Sequence, residues 1–108
     1  METIIYAGTY TSKTSEGIYS IHFCNGSFSD LKLFAGIRNP KYLSDHNGII
    51  TAVADLSNGS GVALFSREGK IIDQIAYEER TSCHVATEGE DIYTANYHTG
   101  TVTQLKNV

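Results

Sequence analysis

Few of the side chains in this sequence that can move a proton, hold an anion or attack a carbonyl fall at a useful spacing. His84 is the first candidate. A neutral imidazole with a pKa of about 6.5 accepts a proton from water, or from a carbon beside a carbonyl, near physiological pH. Tyr42 lies 42 residues earlier, and its hydroxyl suits a hydrogen bond to a substrate oxygen. The competing reading is a packed tyrosine with a wet hydroxyl. Cys83 adjoins His84, which invites a thiol–imidazole nucleophile. Neighbours on an extended strand point to opposite faces, however, and such a pair needs hydrogen-bond reach. Cys83 therefore reads as a buried structural thiol. Arg80 carries the fixed planar charge that a phosphate or carboxylate would want, and Arg38 repeats it one interval earlier.

Other groupings promise less. His22, His46 and His98 are scattered, with no carboxylate or thiol at ligand spacing, so no metal site is expected. Glu78-Glu79 and the set Glu88, Glu90 and Asp91 read as solvated carboxylates. The sequence contains no GxSxG, GxxxxGK[ST] or GxGxxG, so neither a nucleophile elbow nor a nucleotide cofactor is expected. Cys24 and Cys83 form no CxxC and read as free thiols of a reducing compartment. Twelve acidic residues against eight basic ones give a net charge of −4, which leaves no electrostatic footprint for nucleic acid. The longest apolar run falls far short of the roughly 20 residues of a membrane helix. Met1–Tyr6 has neither a basic start nor a long apolar stretch, so no signal peptide is read and a soluble cytoplasmic chain is expected. At 108 residues, 41% hydrophobic and 19% charged, with 7 Tyr and 4 Phe, the chain is sized and composed for one globular domain rather than a disordered segment.

The elements that must position these residues are short and numerous. Asn25-Gly26, Asn47-Gly48 and Asn58-Gly59 are turn dipeptides, because both residue types tolerate positive φ. Glu68-Gly69 and Thr99-Gly100 add further breaks. Between them lie runs rich in Ile, Val, Tyr, Thr and Phe, which predict strands near 3–9, 17–23, 31–37, 41–45, 49–55, 61–66, 70–77, 83–88, 91–96 and 101–106. No segment sustains helical periodicity. The reading is all-β.

The strands also repeat. Ile49-Ile50-Thr51-Ala52-Val53-Ala54 resembles Asp91-Ile92-Tyr93-Thr94-Ala95-Asn96, and Ile4-Ile5-Tyr6-Ala7-Gly8-Thr9 opens an earlier copy. Gly markers at 17, 61 and 100 and the pair Arg38-Asn39-Pro40 and Arg80-Thr81-Ser82 give intervals of 44, 39 and 42 residues. A period of about 40–45 residues with four antiparallel strands is the signature of a β-propeller blade. The expected division is an incomplete blade over 3–37, a complete one over 38–77 and an incomplete one over 80–106, about two and a half blades in all. Such a chain exposes two blade faces. Pairing with copies of itself through those faces, membership of a longer polypeptide and poor folding all remain open.

These residues are similar to a known family. Tyr6-Ala7-Gly8-Thr9-Tyr10-Thr11, followed by Gly17-Ile18-Tyr19, resembles the opening of the lactonase-type seven-bladed β-propellers, which include bacterial 6-phosphogluconolactonases and carboxymuconate cyclases. Asn39-Pro40-Lys41-Tyr42-Leu43 resembles the start of the first complete blade of that family. Ser82-Cys83-His84-Val85, Tyr93-Thr94-Ala95-Asn96-Tyr97 and Gly100-Thr101-Val102 resemble its most recognisable stretch. Seven periods make roughly 300 residues, so the resemblance covers the N-terminal third of such a ring. It implies hydrolysis of a sugar-acid lactone, or opening and closure of a related one, in a central channel without a metal or other cofactor. His84 stands where the family's cyclases carry a catalytic histidine, and the accompanying glutamate and arginines belong to later blades. Tyr42 and Arg80 are then expected to contact a small-molecule lactone. The reading from another class is a non-catalytic propeller segment that serves binding or self-assembly.

Overall fold

The computed structural model describes residues 2–106. They form ten strands and, among the described residues, no helix: β1 (Glu2–Ala7), β2 (Gly17–Cys24), β3 (Ser27–Gly36), β4 (Arg38–His46), β5 (Ile49–Leu56), β6 (Gly59–Phe65), β7 (Ile71–Glu78), β8 (His84–Glu88), β9 (Asp91–Asn96) and β10 (Thr101–Lys106). Every pairing is antiparallel between sequence neighbours. This gives a three-stranded sheet β1-β2-β3, a four-stranded sheet β4-β5-β6-β7 and a three-stranded sheet β8-β9-β10.

Turn chemistry sets much of this order. Asn25-Gly26 and Asn47-Gly48 hold positive φ at both residues (52° and 81°, 51° and 79°), the conformation whose twist matches a two-residue hairpin. Asn58-Gly59 behaves differently. Leu56 pairs with Gly59, so the turn is Ser57-Asn58, one residue earlier than the dipeptide predicts, and the glycine already belongs to β6.

The sheets stack face to face, with the four-stranded sheet in the middle. Alternation along its strands sends successive side chains to opposite neighbours. Ile50 and Ala52 of β5 and Ala63 and Phe65 of β6 pack with Ile18 and Ala35 of the first sheet. Val53 and Val62 pack the other way, against Val85 and Ile92 of the third sheet. Ile18, Ile50, Val53 and Val62 have no exposed surface, and burial of such a side chain stabilises by about 1.5–3 kcal/mol. Burial on both faces explains why β5 and β6 read as nearly continuous apolar runs. In β3 a bulge lets two adjacent residues reach the same core: Ile18 pairs with Ala35 and Tyr19 with Leu33, leaving Phe34 over, and both Phe34 and Ala35 join the first cluster. Phe34 then meets Tyr6 edge-on at 4.9 Å and Phe65 at 6.4 Å between ring centroids.

The far face of the first sheet is apolar and uncovered. Ile5 lies opposite Ile21, Tyr19 opposite Leu33, and Phe23 opposite Phe28, whose rings approach to 5.0 Å. Phe28 is 63% exposed and Leu33 43%.

Candidate active site

β4 and β8 are the edge strands of their sheets on the same side of the stack, and they pack against one another. Ser44 Oγ and Thr87 Oγ1 bridge them at 2.9 Å. Tyr42 and His84 face each other nearer the start of the two strands, with ring centroids 4.1 Å apart and planes tilted by 41°. Alternation explains the tyrosine's side of this meeting: Leu43 turns into the first core cluster, so Tyr42 takes the opposite direction, toward the third sheet. Val85 turns to the middle sheet, and His84 reaches the tyrosine from the very first residue of β8. Both rings are reachable from solvent. Cys83 is exposed rather than buried, because it precedes the first paired residue of β8. Its thiol donates to the Ala95 carbonyl at 3.4 Å.

Arg80 lies apart from that pair. It lines a cavity of about 320 Å³ with Tyr10, Asn39, Lys41, Asp55, Glu79, Thr81 and His98, to which neither Tyr42 nor His84 contributes. Lys41 Nζ stands 5.9 Å above the Tyr10 ring, and no carboxylate among the described residues forms an ion pair with Lys41 or Arg80. His98, which the sequence leaves in an isolated turn, shares this cavity. No group of three or more His, Cys, Asp or Glu among the described residues could hold a metal ion.

Two polar hubs next to these residues escape the sequence reading. Asp55, at the end of β5, accepts hydrogen bonds from Asn39 Nδ2 (2.7 Å), Ser60 Oγ (2.5 Å) and Thr81 Oγ1 (2.7 Å). Asn39 is itself tied to Thr11, whose backbone N–H donates to Asn39 Oδ1 at 2.9 Å. Asn96, one repeat later, is buried and fully engaged. Its oxygen accepts from Ser82 and Thr94, and its amide donates to Thr101 and Thr103. The sequence signals both only loosely: each stands near the end of a second strand, opposite a hydroxyl residue of the next, Ser60 or Thr101, although the repeat aligns Asn96 with Ala54. The sequence casts Asn96 as a turn residue bonding backbone across its sheet, whereas the side chain bonds hydroxyls.

Burial pushes the Asp55 carboxyl upward, but hydrogen bonds from Ser60, Asn39 and Thr81, helped by the Arg38 charge, outweigh it and hold the group below its ordinary value of 3.8. A depressed folded-state pKa stabilises the fold above the unfolded value, and that contribution disappears as pH falls through the folded one. Urea midpoints should therefore drop as pH falls below about 3.8. In Asp55→Asn that component of the acid limb should be missing. Parallel pH curves for the two proteins would refute the assignment.

A family described as "Lactonase, 7-bladed beta-propeller" matches residues 4–107. The chain belongs to this family. The three stacked sheets of this lactonase propeller chain are accordingly blades, and β4 and β8 are the strands from which Tyr42 and His84 project. The chain is 32% identical to the 6-phosphogluconolactonase of Bacillus subtilis, over 90% of its own length and 31% of the relative's. It is also 32% identical to the uncharacterised protein YwcC of Lactococcus lactis, over 98% and 33%. A crystal structure from Lactobacillus plantarum superposes with a TM-score of 0.91 at 28% identity, covering 98% of this chain and 33% of that one. The lactonase propeller chain thus spans about a third of the length of the curated relatives it matches.

Proposed function

We propose that the chain acts within a lactone-hydrolysing propeller of the 6-phosphogluconolactonase kind, a cytoplasmic hydrolase of carbohydrate metabolism that works on a small sugar-acid lactone. The observation that carries this reading is the Tyr42–His84 pair, two solvent-reachable groups meeting across the inner strands of adjacent blades. His84, as neutral imidazole, takes a proton from water while the water oxygen attacks the lactone carbonyl carbon. The carbon–oxygen ring bond then breaks, the departing ring oxygen receives the proton back from the imidazolium, and the product is an open hydroxy acid. The Tyr42 hydroxyl donates to a substrate oxygen. Arg80, with no carboxylate partner among the described residues, pairs with an anionic group of the substrate. The two free thiols are in keeping with a reducing compartment.

A second reading, binding or self-assembly without catalysis, is favoured by the exposed apolar face of the first sheet, with Phe28, Leu33 and Ile5 at its surface. The two readings meet if copies of the chain associate through open blade faces and so assemble the channel. One experiment separates them. The chain is fractionated by size with light scattering, and each species is assayed for acid release from 6-phosphogluconolactone and gluconolactone. Hydrolysis that follows a discrete species supports the enzyme. A discrete oligomer that opens neither lactone sinks the enzymatic reading and leaves assembly.

A further inference from the structure

We infer that Tyr42 is a positioning residue for His84, its ring holding the imidazole in one orientation, in addition to whatever its hydroxyl offers a substrate. The catalytic meaning of this rests on the reading above; the ring contact itself does not.

A solvent-reachable histidine at the first residue of a strand has several staggered rotamers open to it, and exchange among exposed side-chain rotamers is fast. A general base that wanders loses rate, because proton transfer needs the accepting nitrogen within hydrogen-bond reach of the water. Two other histidine rings are held by hydrogen bonds, His22 to Glu2 and His46 to Asn47, and His98 meets the Tyr97 ring edge-on at 5.5 Å. His84 is met by an aromatic ring at much closer range. At 4.1 Å between centroids it forms the closest ring pair among the described residues, the others lying at 4.9 to 6.4 Å. A tilted contact at that separation is closer than the usual range of about 4.5–7 Å for aromatic rings.

The tyrosine can serve as a fixed stop because its own place is secured. Regular pairing on β4 resumes at Tyr42, opposite the fully buried Val53. The next residue, Leu43, packs into the core, and the Ser44–Thr87 bond clasps β4 to β8 two residues further on. The backbone carrying Tyr42 is therefore held against the strand that carries His84. Because a phenyl ring supplies the same face without the hydroxyl, the positioning role and the substrate-contact role can be tested apart.

The test is proton NMR of the His84 ring in the wild-type chain, Tyr42→Phe and Tyr42→Leu, with lactone kinetics on the same samples. The His84 carbon-bound ring protons should lie upfield of free histidine in the wild type and in Tyr42→Phe, and should return toward free positions in Tyr42→Leu. Tyr42→Phe should raise KM several-fold through the lost hydroxyl. Tyr42→Leu should lower kcat by about tenfold as well, the usual scale for a misplaced catalytic group being up to a hundredfold. Unmoved His84 signals in a folded Tyr42→Leu would overturn the proposal. If Tyr42→Leu fails to fold, His84→Ala supplies the reciprocal measurement. The Tyr42 ring protons should shift there, and their failure to do so overturns the proposal equally. Ring shifts as expected in a protein that opens no lactone would sink the functional reading and leave the ring pair standing.

Discussion

On the proposed mechanism, His84→Ala should lower kcat for lactone opening by about 10²–10⁴-fold, the range that a positioned general base contributes. The expectation follows from where the imidazole sits. It begins β8, faces solvent and lies against Tyr42, so its removal takes away the proposed proton acceptor without opening a hole in either core cluster. Circular dichroism and the urea midpoint should therefore stay near wild-type values while turnover collapses. Free imidazole added to the variant should restore part of the rate, since the vacated space faces solvent. Cys83→Ala serves as the control, because its thiol is directed to the Ala95 carbonyl and its loss should leave turnover intact. Full activity in His84→Ala would remove this residue from the chemistry and shift attention to the cavity around Arg80.

Gly61→Ala should cost more than about 3 kcal/mol of stability, a large share of the roughly 5–15 kcal/mol that holds a typical domain together. A Cβ built on Gly61 would stand 1.9 Å from the Ile75 carbonyl oxygen, 2.8 Å from its carbon and 2.9 Å from the Ala76 Cα. All of these are backbone atoms of β7, so no side chain can rotate away. Relief requires β7 to swing off β6 at the register shift between Ser60 and Gly61, which opens the four-stranded sheet beside Val62. Gly36→Ala is the matched control, since an added Cβ there meets only the Glu16 carbonyl oxygen, at 3.9 Å. Urea unfolding of the two variants decides the matter. Equal midpoints would mean that β7 yields more easily than its hydrogen bonding suggests.

The fold was legible in the sequence where local chemistry decides it. Asn25-Gly26 and Asn47-Gly48 fixed two hairpins, and the β-branched runs between turns marked strands that the structure reproduces in number and order. The errors fell where tertiary contacts override local preference. β3 begins at Ser27, earlier than predicted, because Ser27, Phe28 and Ser29 pair with Cys24, Phe23 and His22 of β2 ahead of the irregularity at Asp30-Leu31. Asn58 sits within its turn rather than opening it, because the register of β5 against β6 already uses Gly59. The repeat spacing put Tyr42 and His84 at equal places in successive blades, but the ring contact depends on how two sheets stack, which spacing does not specify. The Asp55 hub was harder still. Its donors Asn39, Ser60 and Thr81 come from three separate segments, and no local pattern announces that they converge.

That convergence bears on how the chain comes apart. Arrays of repeats commonly melt from their ends, each unit held only by its neighbour, so that partly frayed forms accumulate. Here Thr11, in the loop after β1, grips Asn39; Asn39 and Thr81 both grip Asp55. One carboxylate in the middle repeat thereby fastens the repeat on either side. Detaching either end leaves a polar group of the central sheet without its partner, which raises the cost of the first fraying step. The stitch works against piecemeal loss and favours concerted melting of all three sheets, so the array behaves less like a row of dominoes than like a single cooperative unit.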